Sequence, residues 1–124
     1  MKKIVLTKEA PAPIGPYSQA VAMGPLLFCS GQIAIDPITN ELSGDIREQT
    51  EKLMKNIEAV LKANEMNFSH VVKTTIFLTD MKDFSTVNEI YGRFFPQYPP
   101  ARSTVAVAAL PKNAKVEVEV TAHR

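Results

Sequence analysis

The chain has 124 residues, 45% of them hydrophobic and 22% charged, with a formal net charge of +1, which describes one globular domain spanning 1–124 with a modest core. Fourteen Lys and Arg are interspersed with thirteen Asp and Glu, so no basic tract offers itself to nucleic acid or to an anionic membrane. Met1-Lys2-Lys3-Ile4-Val5-Leu6 begins like a secretion signal but meets Lys8 and Glu9 at once, and the lone Cys29 cannot form an internal disulfide; both point to a cytoplasmic protein without a membrane span.

Residues 10–16, Ala-Pro-Ala-Pro-Ile-Gly-Pro, predict a stiff extended loop, because each proline fixes its own φ and keeps its predecessor out of helix. A hairpin follows, Ser18 to Met23, a Gly24-Pro25 turn, then Leu26 to Ser30. Gly31 suits a bulge or a close backbone approach, and Asp36-Pro37-Ile38-Thr39-Asn40 is turn chemistry. Asp45 with Glu48 three residues later forms a capping box for a first helix. Its apolar stripe is Ile46, Leu53, Met54, Ile57, Val60 and Leu61, and Asn64 is its stop. Val71 to Leu78 reads as a central β-branched strand. Asp83 is expected to cap a second helix carrying Phe84, Val87, Tyr91, Phe94 and Phe95 on one face, ended by Pro96. Two strands, 103–109 and 115–123, close the chain.

The order β-β-β-α-β-α-β-β is an α+β pattern with both helices on one face of a sheet. The strands are too apolar for the other face to meet water. Val105 and Val107 point one way, and the small Thr104, Ala106 and Ala108 the other, which suits that second face to packing on another sheet. So short a chain has no element left to supply one, and oligomerisation through the sheet is the natural solution.

Arg102 opens a run, Ser103 to Leu110, that carries no charge. Its guanidinium either pairs with a nearby acid or offers its planar fork to a ligand carboxylate. Glu117 and Glu119 share the polar face of a strand whose other face is Val116, Val118 and Val120. If the last two strands pair as a hairpin around Leu110 to Ala114, Arg102 falls near the end of the glutamate strand and the two can share a pocket. Asn88 shares the second helix's stripe with Phe84, Tyr91 and Phe95, so its amide needs a partner, either structural or a ligand. Tyr17 follows the rigid Ile14-Gly15-Pro16 and either packs or closes a small pocket. Ser30-Gly31-Gln32, at a strand end, is either a plain turn or a place where a hydroxyl and bare backbone amides reach a ligand.

Other catalytic templates fail. His70 and His123 lack Cys or carboxylate neighbours at metal-ligand spacing, Cys29 reads as a small core hydrophobe, and no phosphate loop or nucleophile elbow occurs. The chemistry expected here needs neither metal, cofactor nor covalent intermediate.

Taken in order, Ala12-Pro13-Ile14-Gly15-Pro16-Tyr17-Ser18-Gln19-Ala20, Ser30-Gly31-Gln32-Ile33, Val72-Lys73-Thr74-Thr75-Ile76-Phe77-Leu78, Val87-Asn88-Glu89-Ile90-Tyr91, Pro100-Ala101-Arg102-Ser103 through Leu110-Pro111-Lys112, and Val116-Glu117-Val118 resemble the motifs of the RidA family, also called YjgF, the enamine/imine deaminases. The resemblance implies a chorismate-mutase-like α+β fold, a homotrimer with the sheets as an inner barrel, and active sites in clefts between subunits. It implies hydrolysis of 2-aminoacrylate-type enamines and their imine tautomers, released by pyridoxal-phosphate enzymes, to 2-oxo acids and ammonia. By position, Arg102 would bind the substrate carboxylate and Glu117 would move protons. Tyr17, Ser30, Gly31 and Asn88 would shape the pocket, partly across the subunit boundary. Thr104 stands where many members have cysteine, so only its backbone or small side chain would be used. The segment Phe95-Pro96-Gln97-Tyr98-Pro99 is shorter than in some relatives, which alters the cleft rim. Other members have been linked to metabolic regulation, translation inhibition or RNA cleavage, which leaves a binding protein as the alternative; the charge balance weighs against RNA.

Overall fold

The computed structural model describes residues 1–124. Eight regular elements follow one another: β1 (Lys2–Val5), β2 (Ala20–Met23), β3 (Leu26–Cys29), α1 (Ile46–Ala63), β4 (Val71–Leu78), α2 (Phe84–Arg93), β5 (Ala101–Ala106) and β6 (Val116–His123). The six strands form one mixed sheet in the order β1-β2-β3-β6-β4-β5.

Local chemistry explains the elements that the sequence made plain. Gly24 takes φ +55° between β2 and β3, a turn that a β-carbon would strain. At the start of α1 the Asp45 side chain accepts from Glu48 N at 2.9 Å, and Glu48 Oε1 accepts from Asp45 N at 3.1 Å, closing the capping box. Asn64 is the C-cap, its N–H donating to the Leu61 and Lys62 carbonyls. The second helix begins differently from the expectation. Asp83 makes no side-chain cap; a single 3₁₀ turn, Met81–Asp83, precedes α2, and Asp80 caps that turn through Lys82 N.

The core lies between the helices and one face of the sheet. Leu53, Met54, Ile57, Val60 and Leu61 of α1 and Val87 of α2 are at most 1% exposed. They meet Leu27, Ile76, Leu78, Val116, Val118 and Val120, at most 3% exposed. Each such aliphatic side chain contributes about 1.5–3 kcal/mol by leaving water.

The last two strands do not form a hairpin. α2 is a crossover, so β5 runs parallel to β4, with Thr74 opposite Arg102 and Leu78 opposite Ala106. β6 lies on the other side of β4, antiparallel to it, with Phe77 opposite Glu117. The segment between β5 and β6 steps over the end of β4 and is tied there by Val107 N to Leu78 O at 2.8 Å and Thr79 N to Lys115 O at 3.3 Å. This register also reverses the expected facing of β5. Arg102, Thr104 and Ala106 share the side of Thr74, Ile76 and Leu78, towards the helices, whereas Val105 lies on the bare face. On that bare face Ile4, Met23, Phe28 and Val105 are 42–52% exposed. No helix is long and apolar enough to cross a membrane.

Candidate functional site

Two clusters of the expected residues form, on different faces of the sheet. The first surrounds a cavity of about 520 Å³ between the loop before β2, the end of β3 and the start of β6. Four steps of chain from Phe28 to Gln32 span only three on β6, from Thr121 to Val118, so the strand bulges at Cys29–Gly31. The bulge brings Gly31 against Glu117. A β-carbon on Gly31 would overlap Glu117 Oε2 and lie 2.8 Å from Cδ, so only glycine lets the carboxyl rest there. Burial, reinforced by the charge of Glu119 on the same face of β6, pushes the Glu117 carboxyl above its ordinary value.

Ser30 and Tyr17 complete this wall. Ser30, which lines the cavity, donates its hydroxyl proton to Ser18 O at 2.5 Å, so its oxygen is left to act as an acceptor. Tyr17 Oη accepts from Ile14 N at 3.3 Å, so the phenol is folded back on its own loop, where Gly15 takes φ +113°. Two buried amides brace the apolar part. Gln19, 1% exposed, accepts from Thr7 N at 2.7 Å and donates to the carbonyls of Thr7, Ala10 and Pro11. Asn56 donates to the carbonyls of Ile33 and Ile35 at 3.2 and 2.9 Å. Lys112, read from the sequence only within a motif and given no role there, also lines the cavity; its backbone takes φ +56°, a left-handed conformation uncommon for lysine.

The second cluster lies where β5 meets α2. Arg102 Nη1 donates to Asn88 Oδ1 at 2.7 Å. The guanidinium carbon sits 5.1 Å from the centroid of Tyr91 and 5.5 Å from that of Phe84. No carboxylate pairs with Arg102, which removes the plain salt-bridge reading of this residue. Asn88 is exposed rather than buried: it stands at the rim of the α2 stripe and meets Arg102 there. Thr104, two residues along the same face of β5, has a buried Oγ1 without a hydrogen-bond partner. The roles of Tyr91 and Phe84 were missed because nothing local in the sequence reveals that β5 lies beside β4 under α2.

The clusters do not meet within one chain. Arg102 and Glu117 are separated by β4 and project from opposite faces. Their backbones stand about 10 Å apart across the sheet and about 10 Å along it. The shared pocket expected from a β5–β6 hairpin is therefore absent from the single chain. Cys29 behaves as expected, since burial pushes its thiol up to about 12 and leaves no thiolate at neutral pH.

Comparison with known proteins bears on the family and the fold. The sequence profile of the family described as endoribonuclease L-PSP matches residues 7–124. Protein DfrA of Myxococcus xanthus is 52% identical over 98% of this chain and 95% of its own length. The chloroplastic reactive intermediate deaminase A of Arabidopsis thaliana is 51% identical over 98% of this chain and 65% of its own length. The crystal structure of Escherichia coli TdcF with bound serine is similar to this fold with a TM-score of 0.95, at 42% identity over 98% of each chain. The six-stranded sheet with its two helices on one face is thus the YjgF fold, and the chain belongs to the RidA/YjgF family, the endoribonuclease L-PSP group.

Proposed function

We propose that the protein hydrolyses reactive 2-enamino and 2-imino acids, such as 2-aminoacrylate and 2-aminocrotonate, to 2-oxo acids and ammonia. The observation that carries this reading is the half-buried Glu117 carboxyl, seated on the bare Gly31 backbone in a roomy cavity, with its proton held above the ordinary glutamate range. Such a group can give a proton to the enamine carbon, which produces the protonated imine, and then, as carboxylate, take one from the water that attacks the imine carbon. Collapse of the resulting carbinolamine breaks the C–N bond: nitrogen gains a proton, the hydroxyl loses one as its oxygen becomes the carbonyl, and ammonia leaves. The imine is already electrophilic, so holding it beside a water and a proton carrier is sufficient.

Arg102 is the carboxylate ligand in this scheme, with the fork not used by Asn88 gripping two oxygens. Two findings support an amino-acid-like substrate: TdcF is described with serine bound, and the Arabidopsis relative is named a reactive intermediate deaminase. Since Arg102 and Glu117 of one chain cannot reach each other, we assign the complete site to the seam between two copies of a homotrimer. There Arg102, Asn88 and Thr104 of one copy face Tyr17, Ser30, Gly31 and Glu117 of the next. The family description also names RNA cleavage, but a net charge of +1 gives a polyanion little to bind.

The test is a coupled assay in which a dehydratase generates 2-aminoacrylate from serine and the purified protein is added. Faster pyruvate release by wild type, lost in Arg102→Ala and Glu117→Gln, is expected. No acceleration by the wild type rejects the activity; acceleration that survives Arg102→Ala rejects the assigned residues.

A further inference from the structure

We infer that Tyr91, anchored by Thr74, and Phe84 are positioning residues that hold the Arg102 guanidinium in a fixed plane, with its unpaired edge turned to a ligand carboxylate. The inference rests on the reading of Arg102 as the carboxylate-binding group and names what makes it competent.

The arrangement forms a closed circuit. Thr74 and Arg102 are register partners on adjacent parallel strands, so their backbones are fixed relative to each other. Thr74, 1% exposed, shares a hydrogen bond of 2.8 Å with the Tyr91 hydroxyl. That bond, with the tilted contact to Phe95 at 4.8 Å between centroids, locks the Tyr91 ring on α2. The locked ring lies 5.1 Å from the Arg102 guanidinium, and Phe84, two turns earlier on the same helix, lies 5.5 Å away. Asn88, between them in sequence, takes one donor of the guanidinium at 2.7 Å. Two ring contacts and one amide therefore restrain a side chain that would otherwise be free to turn on an exposed strand.

The electrostatics point the same way. A guanidinium is attracted to the negative face of an aromatic ring, and the contact leaves its in-plane donors uncommitted. A carboxylate pairing would use up those donors. The rings thus hold Arg102 without competing with substrate. An arginine already ordered before binding loses less freedom when it grips an anion, and that difference appears as affinity.

The experiment measures the NMR order parameter of the Arg102 Nε–H in the substrate-free protein, beside steady-state kinetics for 2-aminoacrylate. In wild type an order parameter of about 0.85 is expected; Tyr91→Phe, which keeps the ring but loses the Thr74 bond, falls between, and in Tyr91→Leu it drops below about 0.6. Phe84→Leu, at a partly buried position, provides the same test if Tyr91→Leu folds poorly. KM should rise about tenfold in the Leu variants with kcat little changed. The inference is overturned if Arg102 is as mobile in wild type as in the Leu variants, if it stays rigid in both Leu variants, or if they lose kcat at constant KM. The order parameter needs no substrate. A wild-type protein with a rigid Arg102 and no imine hydrolysis would therefore reject the deaminase reading while supporting the clamp.

Discussion

In the proton-carrying role proposed for it, Glu117 would serve chemistry at a cost to the fold. Its carboxyl titrates above the unfolded value because it is partly desolvated and faces Glu119. A group whose folded-state value is raised contributes stability that is whole below its ordinary value of 4.5 and is lost as pH rises through the folded value. Glu117→Gln is therefore expected to melt above wild type at pH 7.5, with the gap closing near pH 4, while losing the proposed activity. Equal melting temperatures at pH 7.5 would show that the carboxyl is not strained by its surroundings. Gly31 makes the complementary point. Gly31→Ala must push the carboxyl aside, and a loss of about a hundredfold in kcat/KM is expected if Glu117 acts as proposed. Activity within a few fold of wild type in that variant would disconnect Glu117's seat from catalysis. Cys29, with its thiol pushed up to about 12, should resist iodoacetamide at pH 8 in the native protein, and Cys29→Ser should keep full activity.

At the scale of elements, the parts legible in the sequence were those specified by neighbours along the chain. The capping box at Asp45 and Glu48, the Asn64 stop, the Gly24-Pro25 turn and the β4 run all depend on contacts within a few residues. The pairing of β5 was not legible. Its uncharged sequence fits either a hairpin with β6 or a parallel place beside β4, and the choice is made by α2 packing across the sheet. The candidate site was read with the same limits. The motif residues Tyr17, Ser30, Gly31 and Glu117 do line one cavity, while Arg102, Asn88 and Thr104 gather elsewhere, because β4 stands between β5 and β6. The loop ahead of β2 is the element whose order matters most to the cavity. Gln19 satisfies four backbone groups from inside the fold, so Gln19→Leu leaves several of them unpaired. We expect a loss of about 2–4 kcal/mol in denaturant unfolding and faster amide exchange in residues 7–17. Unchanged exchange there would show that the prolines alone fix the loop.

For the whole molecule, the bare sheet face and the divided site pose one problem. Ile4, Met23, Phe28 and Val105 are half-exposed on a surface that has no helix over it, and the two clusters of site residues wait on separate faces. Assembly through that face, as the family resemblance implies, would cover the apolar side chains and bring the clusters together. Val105→Glu should then yield smaller particles in sedimentation and little activity, whereas an unchanged particle of full activity would move the interface elsewhere. The most direct measurement mixes two variants expected to be inactive alone, Arg102→Ala and Glu117→Gln, in equal amounts under conditions that let subunits exchange. If each site takes its arginine from one copy and its glutamate from the next, about one quarter of the sites regain both residues, and imine hydrolysis returns to about a quarter of the wild-type rate. If hydrolysis stays at the level of the separate variants after exchange is complete, the site does not lie between copies, and the account of Arg102 and Glu117 acting together is wrong.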